Sequence, residues 1–143
     1  FGTGDVDALF CGTLDCCKHP SYQDLEGLRV SSHFFIDRSG RLFQYVSCLD
    51  RAWHAGVSSY EGRENCNDFS IGVELEGSAP YEQAQYETLG RLTDALAEAY
   101  PIKYVTGHSM IAPLRKTDPG PAFDWLTYES LCTTGKPLCF PYV

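Results

Sequence analysis

The residue types best suited to chemistry gather between positions 107 and 121, in the run GHSMIAPLRKTDPGP. It holds an imidazole (His108), a cation (Lys116) and a carboxylate (Asp118). Imidazole nitrogen and carboxylate oxygen are ligands that suit zinc, and a neighbouring cation suits a developing oxyanion. Pro119 biases Asp118 toward extended backbone. Residues two apart in an extended chain point the same way, so Lys116 and Asp118 are expected to face one pocket while Thr117 turns away. The plain alternative is a solvated loop in which Asp118 caps a helix, and spacing alone does not separate the two.

Two other stretches could contribute. The run FSIGVELE (69–76) alternates, with Phe69, Ile71, Val73 and Leu75 on one face and Ser70, Gly72, Glu74 and Glu76 on the other. That pattern predicts a half-buried strand. A glycine inside a strand marks a close approach, so Glu74, beside bare Gly72, is a candidate functional carboxylate. The alternative is a solvent-facing acidic strand face. In AWHAG (52–56) small residues flank Trp53 and His54. Small residues let a ligand near the backbone, and Trp53 offers a flat apolar wall. The alternative is a packed tryptophan with His54 as its polar neighbour.

The elements that must position these groups follow from the patterning. IKYVT (102–106) reads as a short buried strand, which puts His108 at a strand end. Val30–Ile36 is β-branched and aromatic and predicts a strand. His33 shares a face with Phe35 there and is expected to be packed. Asp37-Arg38-Ser39-Gly40 is a hairpin turn, and Arg41–Ser47 returns as the partner strand. Tyr81–Tyr100 predicts one long helix, with Tyr86, Leu89, Leu92, Leu96 and Ala99 as its apolar stripe and Pro101 as its stop. One or two helical turns are expected over Asp5–Phe10, an irregular segment over 12–21, a polar surface loop over Glu61–Asp68, and a short helix near Thr127–Cys132. The tail Thr133–Val143, with Gly135, Pro137 and Pro141, is expected to be loosely held.

Composition bounds the function. The 143 residues are 43% hydrophobic and 21% charged, which fits one domain with a real core rather than disorder. A net charge of −8 argues against nucleic acid and anionic membrane surfaces as partners and favours a small soluble ligand. No apolar run approaches the roughly 20 residues that span a bilayer. The seven cysteines are an odd number with no CxxC spacing, which points to free thiols in a reducing compartment. Residue 1 is Phe, so an upstream segment is expected, with a cleaved signal peptide as an open alternative.

Four ordered segments, VSSHFFIDRSGRLFQYV (30–46), RAWHAGVSSYEGREN (51–65), CNDFSIGVELEG (66–77) and GHSMIAPLRKTDPGPAFDW (107–125), resemble the zinc-dependent N-acetylmuramoyl-L-alanine amidases. That family includes phage amidase-type lysozymes and peptidoglycan-recognition proteins. The resemblance implies an α/β (α+β) fold, a central mixed β-sheet with helices packed on its faces. It implies a zinc cofactor held by two His and one Asp or Cys, of which His108 and Asp118 would be two. It matches Glu74 to the acid–base residue, Lys116 to the cation near the oxyanion, and Trp53 and His54 to the substrate cleft. Arg29 and Arg115 are candidates to pair with substrate carboxylates, which arginine binds in bidentate fashion.

The implied reaction is hydrolysis of the amide between N-acetylmuramoyl, expected in its 1,6-anhydro form, and L-alanine of muropeptides. The setting would be peptidoglycan recycling or degradation, by a monomer in the bacterial cytoplasm, with an exported form as the alternative. The resemblance also implies a departure. The family's first zinc histidine lies on a central strand just upstream of an FGG segment, which Phe1-Gly2-Thr3-Gly4 matches. Residues 1–143 are therefore expected to form a single amidase-like domain without that strand. His108 and Asp118 should converge, with the third position empty or filled from elsewhere; of the nearby histidines His54 is the better substitute. Two other functions compete: a non-catalytic muropeptide-binding domain with an incomplete zinc site, and a structural zinc domain.

Overall fold

The structure, a computed structural model, describes residues 3–10, 29–78 and 80–141. The irregular segment expected over 12–21, together with Cys11, Cys16 and Cys17, lies outside the described residues. In chain order the elements are α1 (Thr3–Phe10), β1 (Phe34–Ile36), β2 (Leu42–Gln44), β3 (Ser59–Tyr60), β4 (Arg63–Glu64), β5 (Val73–Leu75), α2 (Gln83–Ala99), α3 (His108–Ile111) and α4 (Trp125–Leu131). β1 lies between β2, antiparallel to it, and β5, parallel to it. The sheet is therefore mixed, with helices against it.

Alternation along β1 and β5 sorts the two faces. Phe34 stands opposite Val73 and Ile36 opposite Leu75. Phe34 and Ile36 enter the main core with Tyr86, Leu89 and Leu92 of α2 and with Phe123 and Tyr128. Phe35 stands opposite Glu74 on the other face, the face that carries His33, Gly72 and the candidate site. One period-2 pattern thus separates core from chemistry.

The hairpin β1–β2 turns where expected. The Asp37 carboxylate accepts from the Ser39 backbone N–H (2.9 Å) and hydroxyl (2.6 Å), and from the Arg41 backbone (2.9 Å) and Nε (2.7 Å). Gly40 takes φ +83°, and a side chain there would also collide with the Ala84 carbonyl of α2. β1, β2 and β5 are each three residues, shorter than the patterning over 30–36, 41–47 and 69–76 suggested. Side chains take backbone donors at their ends: the Ser31 hydroxyl accepts from Trp53 N–H (2.9 Å) and His33 Nδ1 from Gly72 N–H (3.1 Å).

Four expectations are corrected. The apolar stripe of α2 runs through Thr93 and Ala97 rather than out to Ala99, because α4 packs against that side; Gly90 lets the Leu131 carbonyl come close. Segment 102–106 is not a buried strand: it makes one isolated bridge, Tyr104 with Cys139, and Tyr104 is half exposed. The tail is held, not loose, among the described residues. Asp94 accepts from the backbone N–H of Thr133 and Thr134 at 2.9 Å, and Phe140 stacks edge-on against Tyr128 at 5.3 Å. Run 61–68 is not merely a surface loop, since Cys66 and Asn67 are buried in a 3-10 turn.

Gln85, wholly buried, was given no role by the pattern. Its side-chain amide donates to the Ile36 carbonyl (3.4 Å) and the Glu76 carbonyl (3.2 Å), tying α2 to the ends of β1 and β5. α1 docks through a hydrogen bond from the Tyr45 hydroxyl to Asp7 and through Phe10 edge-on to Tyr45 at 5.0 Å. Cys48, Cys66, Cys132 and Cys139 are free thiols.

Candidate active site

The site begins with the loop 53–57, which side chains fasten from three directions. Trp53 pairs with Ser31: its carbonyl accepts from Ser31 N–H (3.1 Å) and its N–H donates to the Ser31 hydroxyl (2.9 Å). Asn67 Oδ1 accepts from the backbone N–H of His54 (3.0 Å) and of Ala55 (2.8 Å). Arg115 Nη2 donates to the carbonyls of Ala55 (2.6 Å) and Val57 (3.0 Å). Gly56 between them sits at φ +59°, and a methyl group there would lie 2.8 Å from Arg115 Nη2.

Behind this loop two histidines pack. His33 is fully buried. Its Nδ1 accepts from Gly72 N–H (3.1 Å), so Nε2 carries the proton and donates to the Asp50 carbonyl (2.9 Å). The ring is satisfied on both nitrogens. The His54 ring lies edge-on to it at 5.6 Å and covers Gly72. A methyl group at Gly72 would come within 2.4 Å of His54 Cγ. Burial lowers the His54 pKa to about 4, helped by His33 and His108 and opposed by a hydrogen bond with the Ser70 backbone. His54 is therefore neutral near pH 7, and its buried Nε2 has no hydrogen-bond partner among the described residues.

At the front stand the residues of run 107–121. Gly107 has no side chain, and Pro119 and Trp125 fill the space one would take. The Asp118 carbonyl accepts from Ser109 N–H (2.8 Å), which closes the loop on itself. This brings His108 Nδ1 to 3.2 Å from Asp118 Oδ2. His108 Nε2 lies 3.0 Å from the Ala55 carbonyl, to which it donates. With both ring nitrogens protonated, Nδ1–H donates to Asp118 Oδ2; in the neutral ring Nδ1 instead turns a lone pair toward that oxygen.

Glu74 occupies the floor. Its side chain is open to solvent on one side, yet the chain closes around it on the others. That burial pushes its pKa up, the Asp118 charge adds to the rise, and His108 and Lys116 oppose it. Asp118 is shifted the other way. Its hydrogen bond with His108 lowers its pKa, burial opposes, and the charges of His108 and Lys116 lower it further. Glu74, His108, Lys116 and Asp118 thus sense one another in one cleft.

The other candidates are spread around it. Trp53 is half exposed, with the Arg51 guanidinium 4.0 Å over its ring and Arg51 paired to Asp68 at 2.8 Å. Arg29 is exposed at the start of the second described segment. The Nη2 of Arg115 is committed to the 55–57 loop. Neither His54 nor His33 joins His108 and Asp118: among the described residues, no three or more His, Cys, Asp or Glu side chains are grouped to hold a metal. Asn67, which fastens the loop, was missed because a lone Asn in a polar run carries no sequence signal of burial.

A mixed sheet with this cleft on one face defines a class. Residues 5–121 match the N-acetylmuramoyl-L-alanine amidase family model, and the chain belongs to that family. It is an amidase by that membership. It is 54% identical over 137 residues to the 1,6-anhydro-N-acetylmuramyl-L-alanine amidase AmpD of Citrobacter freundii, covering 93% of this chain and 73% of the relative. A crystal structure of a selenomethionine AmpD derivative superposes with a TM-score of 0.86 at 53% identity, covering 93% of this chain and 76% of that one. The Escherichia coli amidase AmiD, solved with anhydro-N-acetylmuramic acid-L-Ala-D-γ-Glu-L-Lys, superposes with a TM-score of 0.69 at 35% identity, covering 81% and 53%.

Proposed function

We propose that this protein is a zinc-dependent 1,6-anhydro-N-acetylmuramyl-L-alanine amidase. It would act as a monomer on soluble muropeptides in the bacterial cytoplasm during peptidoglycan recycling. The observation that carries the reading is the 3.2 Å approach of His108 Nδ1 to Asp118 Oδ2, in a cleft shared with Glu74 and Lys116. Two such atoms hold a positive centre between them, the proton of an imidazolium or, in its place, a metal ion. Ligands of a tetrahedral ion with bonds of ~2.0–2.1 Å lie about 3.3 Å apart, so the pair fits zinc. The Nε2–H bond to the Ala55 carbonyl is the outer partner that ligating histidines have. Zinc, when bound, lowers the pKa of water and polarises a carbonyl.

The chain's own residues do the rest. Glu74 takes the proton of the attacking water as its oxygen bonds to the amide carbon. It returns that proton to the alanine nitrogen as the C–N bond breaks. Lys116 faces the oxyanion. Trp53 and His54 wall the cleft. Arg29, which is exposed, would pair with a peptide-stem carboxylate. The small-fragment substrate agrees with the net charge of −8.

The test is Glu74→Gln. Zinc content by mass spectrometry and the unfolding midpoint should match wild type, while release of the stem peptide from anhydro-muropeptide falls about 10²–10⁴-fold. Wild-type turnover at equal zinc loading would overturn the assignment.

A further inference from the structure

Arg115 stands one residue from Lys116, where a substrate-binding role is the obvious expectation. Its side chain is exposed, yet one edge of its guanidinium lies on loop 53–57. Nη2 donates to the carbonyls of Ala55 at 2.6 Å and Val57 at 3.0 Å. The Ala55 carbonyl also receives the His108 Nε2–H at 3.0 Å. A carbonyl oxygen has two lone pairs and can serve both donors. We propose that Arg115 is a positioning residue: it clamps the Ala55 carbonyl, and through it fixes the His108 ring with Nδ1 toward Asp118. The proposal rests on the zinc-amidase reading for its consequence, but its geometry stands apart from it.

Three observations support the clamp. Ala55 is wholly buried, and its N–H is held from the other side by Asn67 Oδ1 at 2.8 Å, so its carbonyl is set between two anchors. Gly56 holds a left-handed φ of +59°, and the space of its missing side chain is filled by the Arg115 guanidinium. Val57, whose carbonyl is the second acceptor, has its side chain almost wholly in solvent, so apolar packing does not hold that end of the loop. Without Arg115 the peptide between Ala55 and Gly56 can rotate, and the outward carbonyl leaves His108 Nε2 without its acceptor. The imidazole can then turn over and exchange Nδ1 for Nε2. Outer partners of this kind are worth about 10- to 100-fold in metal affinity.

The experiment compares wild type, Arg115→Ala and Arg115→Lys of the full protein. Zinc affinity is read by chelator competition, and the His108 Nε2–H by ¹⁵N-resolved exchange with water. Arg115→Ala should weaken zinc about 10- to 100-fold and speed exchange of that proton. Arg115→Lys, which keeps one cationic donor, should recover part of both while peptide-stem binding is unchanged. An Arg115→Ala protein with wild-type zinc affinity and wild-type exchange, and only a lower unfolding midpoint, would make Arg115 a loop tether and overturn the proposal while leaving the amidase reading intact. A wild-type protein that holds no zinc would remove that reading and this proposal together. Weaker muropeptide binding at unchanged zinc affinity would return Arg115 to a substrate role and also overturn it.

Discussion

Gly72→Ala is the most informative single change outside the reacting groups. By strand propensity alone it should help, since Gly in a strand is worse than Ala by roughly 0.5–1 kcal/mol. The site reverses the sign. The added methyl would lie 2.4 Å from His54 Cγ, 2.6 Å from Nδ1 and 2.8 Å from Cδ2. The ring cannot swing away freely: it is packed on His33, and its backbone is held by Asn67. Gly72 cannot retreat freely either. Its N–H donates to His33 Nδ1, and its carbonyl accepts from Phe34 N–H (3.1 Å) and the Ser32 hydroxyl (2.8 Å).

Overpacking of this kind costs about 1–3 kcal/mol. For a domain of this size that is a fall of roughly 2–4 °C in Tm per kcal/mol. Urea unfolding measures it, with Gly135→Ala as the control, because nothing lies within 4 Å of a side chain there. The cause is tested by a double-mutant cycle. In a His54→Ala background Gly72→Ala should lose its cost, as contacting pairs couple and distant ones do not. Gly72→Ala within about 0.5 kcal/mol of wild type, or a cost unchanged without the His54 ring, would refute the reasoning.

Asp37 gives a pH signature. Burial alone would raise its pKa, but hydrogen bonds from Ser39 and Arg41 and the Arg41 charge hold it at about 2, against an ordinary 3.8. Its contribution of about 2 kcal/mol is complete above the unfolded pKa and is lost as pH falls toward 2; acid unfolding of Asp37→Asn should lack that loss. Asn67→Ala strands two loop N–H groups and should destabilise by about 2 kcal/mol or more, whereas Asn67→Asp keeps the acceptor and most of the stability; equal urea midpoints for Asn67→Ala and wild type would refute the anchoring role.

What could be read from the sequence was what repeats. The alternation of FSIGVELE placed Ile71, Val73 and Leu75 toward the core and Gly72 and Glu74 on the other face, and the bare Gly72 does receive another ring. The spacing of Tyr86, Leu89 and Leu92 located the buried side of α2. What could not be read was what depends on single distant partners. Asn67 and Gln85 are polar residues in polar surroundings of the sequence, buried because backbone donors or acceptors meet them across 9 to 49 residues. Arg115 drew attention as a ligand for carboxylates because arginine usually is one; that its Nη2 meets acceptors 58 and 60 residues away carried no mark in the sequence. The tail was undervalued for the same reason, as Asp94 and Tyr104, which hold it, carry no mark of that role.

The two carboxylates of the cleft show why residue types alone do not assign chemistry. Asp118 and Glu74 are interchangeable on a list of acids, yet their surroundings drive their pKa values apart. Asp118 keeps its charge because His108 is hydrogen-bonded to it and Lys116 is near. Glu74, though open to solvent on one side, is urged toward its neutral form by the water its neighbours displace and by the negative charge of Asp118. Under the proposed function a pair separated in this way divides the labour: one group holds charge in place and the other moves a proton. Loop 53–57 acts on the same pair, because the Ala55 carbonyl sets the His108 ring and with it the nitrogen that Asp118 faces.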